Sequence, residues 1–192
     1  MPIRSAVVFC GSRPGRNPAW REAAVALGRG MAEAGIRLIY GGGRTGLMGA
    51  VADGALSAGG AVTGIIPDFL QSREVSHTGV ADLIVTTSMH IRKHMMSEMA
   101  DAFIVMPGGL GTMDETMEII TWRQLGLHDK PILIVDVAGW ARHVLAMLDG
   151  FVADGYSDPE SVNLYEVLPD VPAALAWLAR ATMTAPMDSA RL

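Results

Sequence analysis

Six short apolar runs punctuate the chain: SAVVF (5–9), IRLIY (36–40), AVTGII (61–66), DLIVT (82–86), AFIVM (102–106) and PILIVD (131–136). Most are continuous rather than alternating, which predicts strands buried on both faces and hence a parallel sheet. Between them, apolar positions recur at helical spacing over roughly 17–34, 46–59, 89–101, 113–126 and 138–153. The order βαβαβ–βαβαβα predicts an α/β fold: a three-layer, Rossmann-like, doubly wound sheet, mostly or wholly parallel, with helices on both faces. One connection breaks the pattern. Between AVTGII and DLIVT lies a polar stretch, PDFLQSREVSHTGVA, with no helix-length periodicity; long loops inside compact domains are often functional. A last helix, VPAALAWLARA, carries Pro172 in its first turn. Residues 1–182 read as a single nucleotide-binding domain and 183–192 as a flexible tail, with no repeat or linker.

Composition narrows the function classes. Half of the 192 residues are hydrophobic and the formal net charge is -5, so the chain is not of a disordered type and lacks the basic stripe a nucleic-acid partner would require. The lysines are Lys93 and Lys130, and the single cysteine is Cys10. That excludes an internal disulfide and a cysteine-rich zinc site and fits a reducing compartment. The apolar run at the N-terminus is too short for a signal peptide, and no run approaches the roughly 18 residues of a membrane span. A cytoplasmic protein without a membrane partner is expected.

Glycine-rich turns follow three of the expected strands: CGSRPG after the first, GGGRTGLMG after the second and PGGLGT after the fifth. In an open α/β sheet these turns gather where ligands bind, beyond the carboxyl ends of the strands. Glycine lets backbone N–H groups approach a ligand, and the helix that follows adds partial positive charge. Gly11, Ser12, Gly42 and Gly43 are therefore phosphate-loop candidates. No Walker A pattern is present. The dinucleotide fingerprint is missing after the first strand, and the second ends LIYGGG with no acidic residue to hold a ribose. A mononucleotide suits the pattern better than ATP or NAD.

Two charged segments adjoin these turns. In MHIRKHMMSEMAD (89–101), Arg92 could fork onto a phosphate or polarise a leaving base, or belong with Lys93 and Glu98 to a solvated face, which composition alone favours. His90, His94 and Glu98 stand a turn apart, yet the segment lacks the H-E-x-x-H arrangement and a further ligand, so no metal is expected. In PGGLGTMDE (107–115), Thr112 and Glu115 have the spacing of a capping box, worth about 0.5–2 kcal/mol. That local logic favours a structural Glu115, while Asp114 and Glu118 would complement the helix dipole. Three carboxylates behind a phosphate loop nevertheless suggest that one of them serves another part of a ligand.

PGGLGTMDE resembles the P-G-G-x-G-T-x-x-E signature of the Lonely Guy family of cytokinin-activating phosphoribohydrolases, proteins often mislabelled lysine decarboxylases. VFCGS (8–12), YGGGRTGLMG (40–49), GIIPDFLQSREV (64–75), MHIRKHMM (89–96) and ITWRQLGLHDKP (120–131) resemble family blocks in the same order, covering residues 5 to about 156. The resemblance implies hydrolysis of the N-glycosidic bond of a nucleoside 5′-monophosphate, a cytokinin riboside 5′-monophosphate or AMP, to free base and ribose 5-phosphate. It implies Arg92 and Glu115 as the catalytic pair, and Glu74, Lys93, Gly108, Gly109, Gly111, Thr112 and Thr121 as substrate contacts. It further implies a homodimer, or a hexamer, with no metal or organic cofactor. The chain departs from the family at Arg13 and Arg44, where serines are common, and at Ile91, where a polar residue often stands. These departures leave the catalytic pair intact and bear on base preference.

Chemistry agrees with the hydrolase reading. Cleaving a ribosyl bond builds positive charge on the sugar, which a carboxylate at Glu115 would stabilise, or else it would orient water. A guanidinium is a poor proton donor, so Arg92 would stabilise the departing base or place the phosphate, with water supplying the proton. A decarboxylase would need a Schiff-base lysine; Lys130 sits in a turn before the sixth strand, leaving only Lys93. Two alternatives stay open, a nucleosidase of broader purine or pyrimidine range and a nucleotide-binding protein without activity.

Overall fold

The computed structural model describes residues 3–71 and 77–181. Seven strands form one sheet: β1 (Ser5–Phe9), β2 (Arg37–Tyr40), β3 (Val62–Pro67), β4 (Asp82–Thr86), β5 (Ala102–Val105), β6 (Ile132–Val135) and β7 (Glu166–Leu168). Every pairing is parallel, in the order β4-β3-β2-β1-β5-β6-β7. The helices are α1 (Pro18–Glu33), α2 (Gly46–Ser57), α3 (Met89–Met99), α4 (Leu110–Gln124), α5 (Arg142–Ala153) and α6 (Val171–Arg180), with short 3-10 turns at Asp68–Leu70, Val137–Gly139 and Pro159–Leu164.

Continuous apolar strands become a three-layer fold because successive side chains point to opposite faces. Ala6, Val8 and Cys10 join Ile104, Leu133 and Val135 in a core that also takes in Leu27, Val51 and Leu178 of α1, α2 and α6. Val7, Phe9, Phe103, Ile132 and Ile134 face the other way, against Met96 of α3 and Ile119 of α4. Parallel strands need this double cover; β5 and β6 are buried at every residue.

The strands expected from the pattern are present, and β7 is added to them. Its three residues, two of them exposed, are too short to carry a period. The polar stretch after β3 begins with the 3-10 turn at Asp68–Leu70 and ends in a turn closed by Val80 N–H donating to the His77 carbonyl, 3.1 Å. Residues 72–76, which include Glu74, and the tail from 182 lie outside the described residues. The largest correction concerns α4, which begins at Leu110 rather than 113, with Gly109 as N-cap. Thr112 thus lies inside the first turn, and the expected Thr112–Glu115 capping box does not form. The reason is local: Gly108 lacks a Cβ, and the space that atom would fill is taken by the Thr112 side chain.

The chain walks outward from β1 to β4, then returns to place β5 on the other side of β1. The loops after β1 and β5 must diverge there, opening the crevice that such a switch in strand order creates. Gly11 N–H donates to the Pro107 carbonyl at 3.0 Å, and the Gly11 carbonyl accepts from Leu47 N at 2.9 Å. These bonds tie the two loops to each other and to the start of α2.

Helices α1 and α2 pack backbone to backbone through two glycines. A Cβ on Gly28 would strike the Val51 carbonyl, and one on Gly54 the Val25 carbonyl. Backbone cannot swing aside as a side-chain end can, so overpacking outweighs the gain of about 1 kcal/mol in helix propensity. Gly28→Ala and Gly54→Ala are each expected to lose about 2 kcal/mol in urea unfolding. Gly150→Ala in α5, where nothing lies within 4 Å of the added atom, should gain up to about 1 kcal/mol.

Candidate active site

At the crevice between β1 and β5 lies a cavity of about 680 Å³. Its floor is glycine and backbone from residues 10–15 and 107–112; its walls include Trp20, Met48, Met89 and Trp140, and Arg92 and Glu115 reach into it. Gly15 makes room for the Trp20 ring, since a Cβ there would overlap its edge, and Trp20 Nε1–H is anchored on the Val137 carbonyl at 3.2 Å.

The N-terminus of α4 opens on this cavity. The first intrahelical bond runs from Met113 N to the Gly109 carbonyl, 3.0 Å, and no side chain caps the helix. The N–H groups of Leu110, Gly111 and Thr112 therefore have no acceptor within the helix, an arrangement that, with the helix dipole, favours negative charge.

Arg92 is only 4% exposed. It sits in the first turn of α3, which Ser88 caps by accepting from Ile91 N–H at 3.2 Å. Its Nε donates to the carbonyl of Ile65 in β3, 3.0 Å, and Nη2 to the Gly41 carbonyl, 3.2 Å. Nη1 lies 3.7 Å from Met89 Sδ and 3.9 Å from Glu115 Oε1. A buried cation requires such partners, and here two backbone carbonyls hold the guanidinium plane and aim its remaining edge at the carboxylate. Glu115 is also buried, one turn into α4. Beside it, the Cys10 thiol is pushed far above its ordinary range, by burial first and by the Glu115 charge second, so Cys10 stays neutral in the cavity wall.

Among the residues singled out from sequence, the cavity gathers Arg92, Glu115, Gly108, Gly109, Gly111, Thr112, Gly11 and Ser12. Others lie elsewhere. Gly42 and Gly43 are buried beside the cavity, in the loop that presents the Gly41 carbonyl to Arg92. Lys93 points along the outside of α3, 3.1 Å from both Asp114 Oδ2 and Glu118 Oε1. Thr121 is exposed on α4 and lines a separate hollow of about 110 Å³ with Met117, Phe151 and Tyr165. Arg13 is on the cavity rim, whereas Arg44 is not among its lining residues. Missing from the sequence reading were Trp20 and Trp140, which no spacing flags, and the carbonyl clamp, which no residue type encodes.

No lysine lines the cavity. Lys130 Nζ donates to the Ser97 carbonyl, 2.7 Å, at the end of α3. Among the described residues no three His, Cys, Asp or Glu side chains gather to hold a metal ion, and no helix is long and apolar enough to cross a membrane.

The chain is similar to known proteins along most of its length. The profile of a family described as "Possible lysine decarboxylase" matches residues 48–178. A cytokinin riboside 5′-monophosphate phosphoribohydrolase of Rhodococcoides fascians is 40% identical over 174 residues, 90% of this chain and 88% of that protein. The one named LOG from Oryza sativa subsp. japonica is 39% identical, covering 91% of this chain and 78% of its own. Among solved structures, the molybdenum cofactor carrier protein of Chlamydomonas reinhardtii superposes with a TM-score of 0.67 at 22% identity, over 90% of this chain and 93% of the other. That last likeness is one of fold.

Lys93 ties α3 to α4 without touching the cavity. Burial alone would lower its pKa; hydrogen bonds and charge from Asp114 and Glu118 reverse that, and the net shift is upward. A raised folded-state pKa means stability present below the unfolded value of about 10.4 and lost as pH climbs through the folded value. Lys93→Met is expected to cost about 0.5–1 kcal/mol at pH 8. The gap to wild type should narrow as pH rises past the unfolded value of about 10.4, read as urea unfolding across an alkaline pH series.

Proposed function

The chain belongs to the Lonely Guy family of cytokinin riboside 5′-monophosphate phosphoribohydrolases, and we propose that Arg92 and Glu115 are its catalytic pair for releasing the base from a cytokinin riboside 5′-monophosphate. The observation that carries the assignment is that this buried pair and the uncapped N-terminus of α4 share one cavity. The reaction adds water across the N-glycosidic bond and yields free base and ribose 5-phosphate.

The 5′-phosphate sits at Gly108–Thr112, on N–H groups that otherwise lack acceptors. The ribose then lies over Glu115, whose carboxylate stabilises the oxocarbenium-like transition state and orients the attacking water. Arg92 is held by the Ile65 and Gly41 carbonyls, so its charge is preorganised and needs no rearrangement as the base departs. Water carries the proton to the base, because a guanidinium does not release one. Trp20, Met48, Met89 and Trp140 offer an apolar wall suited to an isoprenoid-substituted adenine, which supports a cytokinin base over plain adenine. Glu74, Lys93 and Thr121 join the proposal as substrate contacts on resemblance alone; Lys93 and Thr121 stand outside the cavity of a single chain and would have to reach a substrate from beyond it.

A cytoplasmic homodimer completes the reading. Its support is the exposed apolar group Leu125, Leu127, Phe151 and Val162 around the ends of α4 and α5, which a second copy would cover.

The assignment is tested by Glu115→Gln, which keeps shape and removes charge. With the capping box absent, the variant should melt near the wild-type temperature and lose about 10²–10³-fold in kcat, read as base release by chromatography. Full turnover in the folded variant would sink the assignment. On wild-type enzyme, kcat/KM for isopentenyl-AMP should exceed that for AMP; equal values would favour a nucleosidase of broad base range.

A further inference from the structure

Among the described buried polar residues outside the cavity, His77 is the one whose backbone also reaches the loop that holds Arg92. His77 is 5% exposed and occupies the turn that leads into β4. Its Nδ1 accepts from Gly79 N–H at 3.1 Å, and its Nε2 lies 3.0 Å from Asp53 Oδ1 of α2. A backbone N–H can only donate, so Nδ1 is the bare nitrogen and the ring proton is on Nε2, directed at the Asp53 carboxylate. Both ring nitrogens are thereby used, and the tautomer is fixed by its partners.

The backbone of the same residue reaches the site. His77 N–H donates to the Gly42 carbonyl at 3.0 Å. Gly42 has a φ of 76°, in the left-handed region, and a Cβ there would stand 3.0 Å from Ile66 Cβ, so this loop has no slack of its own. One peptide earlier is the Gly41 carbonyl that accepts from Arg92 Nη2. A Cβ on Gly41 would overlap that nitrogen, which shows how closely loop and guanidinium fit.

We propose that the Asp53–His77 pair is a positioning device for Arg92: it locks the turn at 77–80 to α2, and through the Gly42 carbonyl holds the Gly41 carbonyl where the guanidinium needs it. The inference rests on Arg92 acting in catalysis, as proposed above. Asp53 and Gly42 lie at opposite ends of one stretch, the glycine loop and the helix it leads into, so His77 grips that stretch at two points. Loosening the grip frees the Gly41 carbonyl, lets Arg92 swing off its axis toward Glu115, and costs transition-state stabilisation without altering the phosphate site at Gly108–Thr112.

The experiment compares His77→Phe, His77→Asn, Asp53→Ala, Arg92→Ala and the double variant His77→Phe/Arg92→Ala, each scaled to folded protein. Misplacing a catalytic group by about 1 Å can cost about 100-fold. His77→Phe should therefore lower kcat by about tenfold or more, with KM within about threefold of wild type. His77→Asn keeps an acceptor for Gly79 N–H and should recover part of the loss. Asp53→Ala, a change at an exposed side chain, should show the same kcat-only pattern more weakly. In the Arg92→Ala background His77→Phe should add little, because its target is gone. The imidazole ¹⁵N shifts should report the Nε2–H tautomer in wild type, set by the Gly79 N–H on Nδ1. If His77→Phe fails to fold, His77→Asn and Asp53→Ala decide: wild-type kcat in both overturns the inference. A lower melting temperature with unchanged kcat also overturns it, as does a full additive loss in the double variant. Wild-type turnover in Arg92→Ala would instead refute the catalytic assignment of Arg92, and the inference with it.

Discussion

A guanidinium that cannot lose its charge is buried at the heart of this protein, and much of the surrounding structure answers to that constraint. Removing such a charge from water is tolerable only when its donors find fixed acceptors. Arg92 finds them in the Ile65 and Gly41 carbonyls and faces Glu115. The first belongs to β3 and the second directly follows its neighbour β2, so the sheet itself sets the distance between them. The glycines of the second loop serve this arrangement as much as any ligand, because a side chain at Gly41 would displace the arginine.

Topology then puts the charge to use. With β5 returning to the far side of β1, the loops after these two strands part, and α4 enters with its N-terminus toward the gap. A helix beginning at Leu110 rather than at residue 113 changes what Glu115 is for. Had Thr112 capped the helix, the carboxylate would have been turned back onto the Thr112 N–H, and the Thr112 hydroxyl would have taken one first-turn N–H. The additional turn puts Thr112 inside the helix, leaves the helix start without a side-chain cap, and has Glu115 lining the cavity.

What the sequence disclosed, and what it hid, follow from the same physics. The parallel sheet was legible because both faces of β2, β3, β5 and β6 had to be apolar, which leaves continuous runs such as AFIVM and ILIV. The cavity's edge was legible because close backbone approach demands glycine in CGSRPG and PGGLGT. The beginning of α4 was hidden because a threonine followed three residues later by a glutamate looks the same whether it caps a helix or lies within one. The difference is made by the missing Cβ of Gly108, whose space the Thr112 side chain takes. The inward turn of Arg92 was hidden for a similar reason, since its neighbours His90, Lys93 and His94 describe a polar face and the clamp is backbone. The three-residue β7 lacked the length to show a pattern at all.

The adjacent pair Arg92 and Lys93 shows how three acidic residues behind one loop divide their work. Neighbours on a helix point about 100° apart, so one side chain of this pair turns into the cavity and the other runs along the outside. Arg92 meets Glu115, while Lys93 meets Asp114 and Glu118, residues that lie on the adjacent face of α4. The outer contacts are worth little individually in solvent, but they set the register of α3 against α4. A slip of one residue in that register would carry Arg92 off the Ile65 and Gly41 carbonyls and bring Glu115 out of the cavity. The exposed clamp thus defends the geometry of the buried pair, and the carboxylates at 114 and 118 are accounted for without any contact to a ligand.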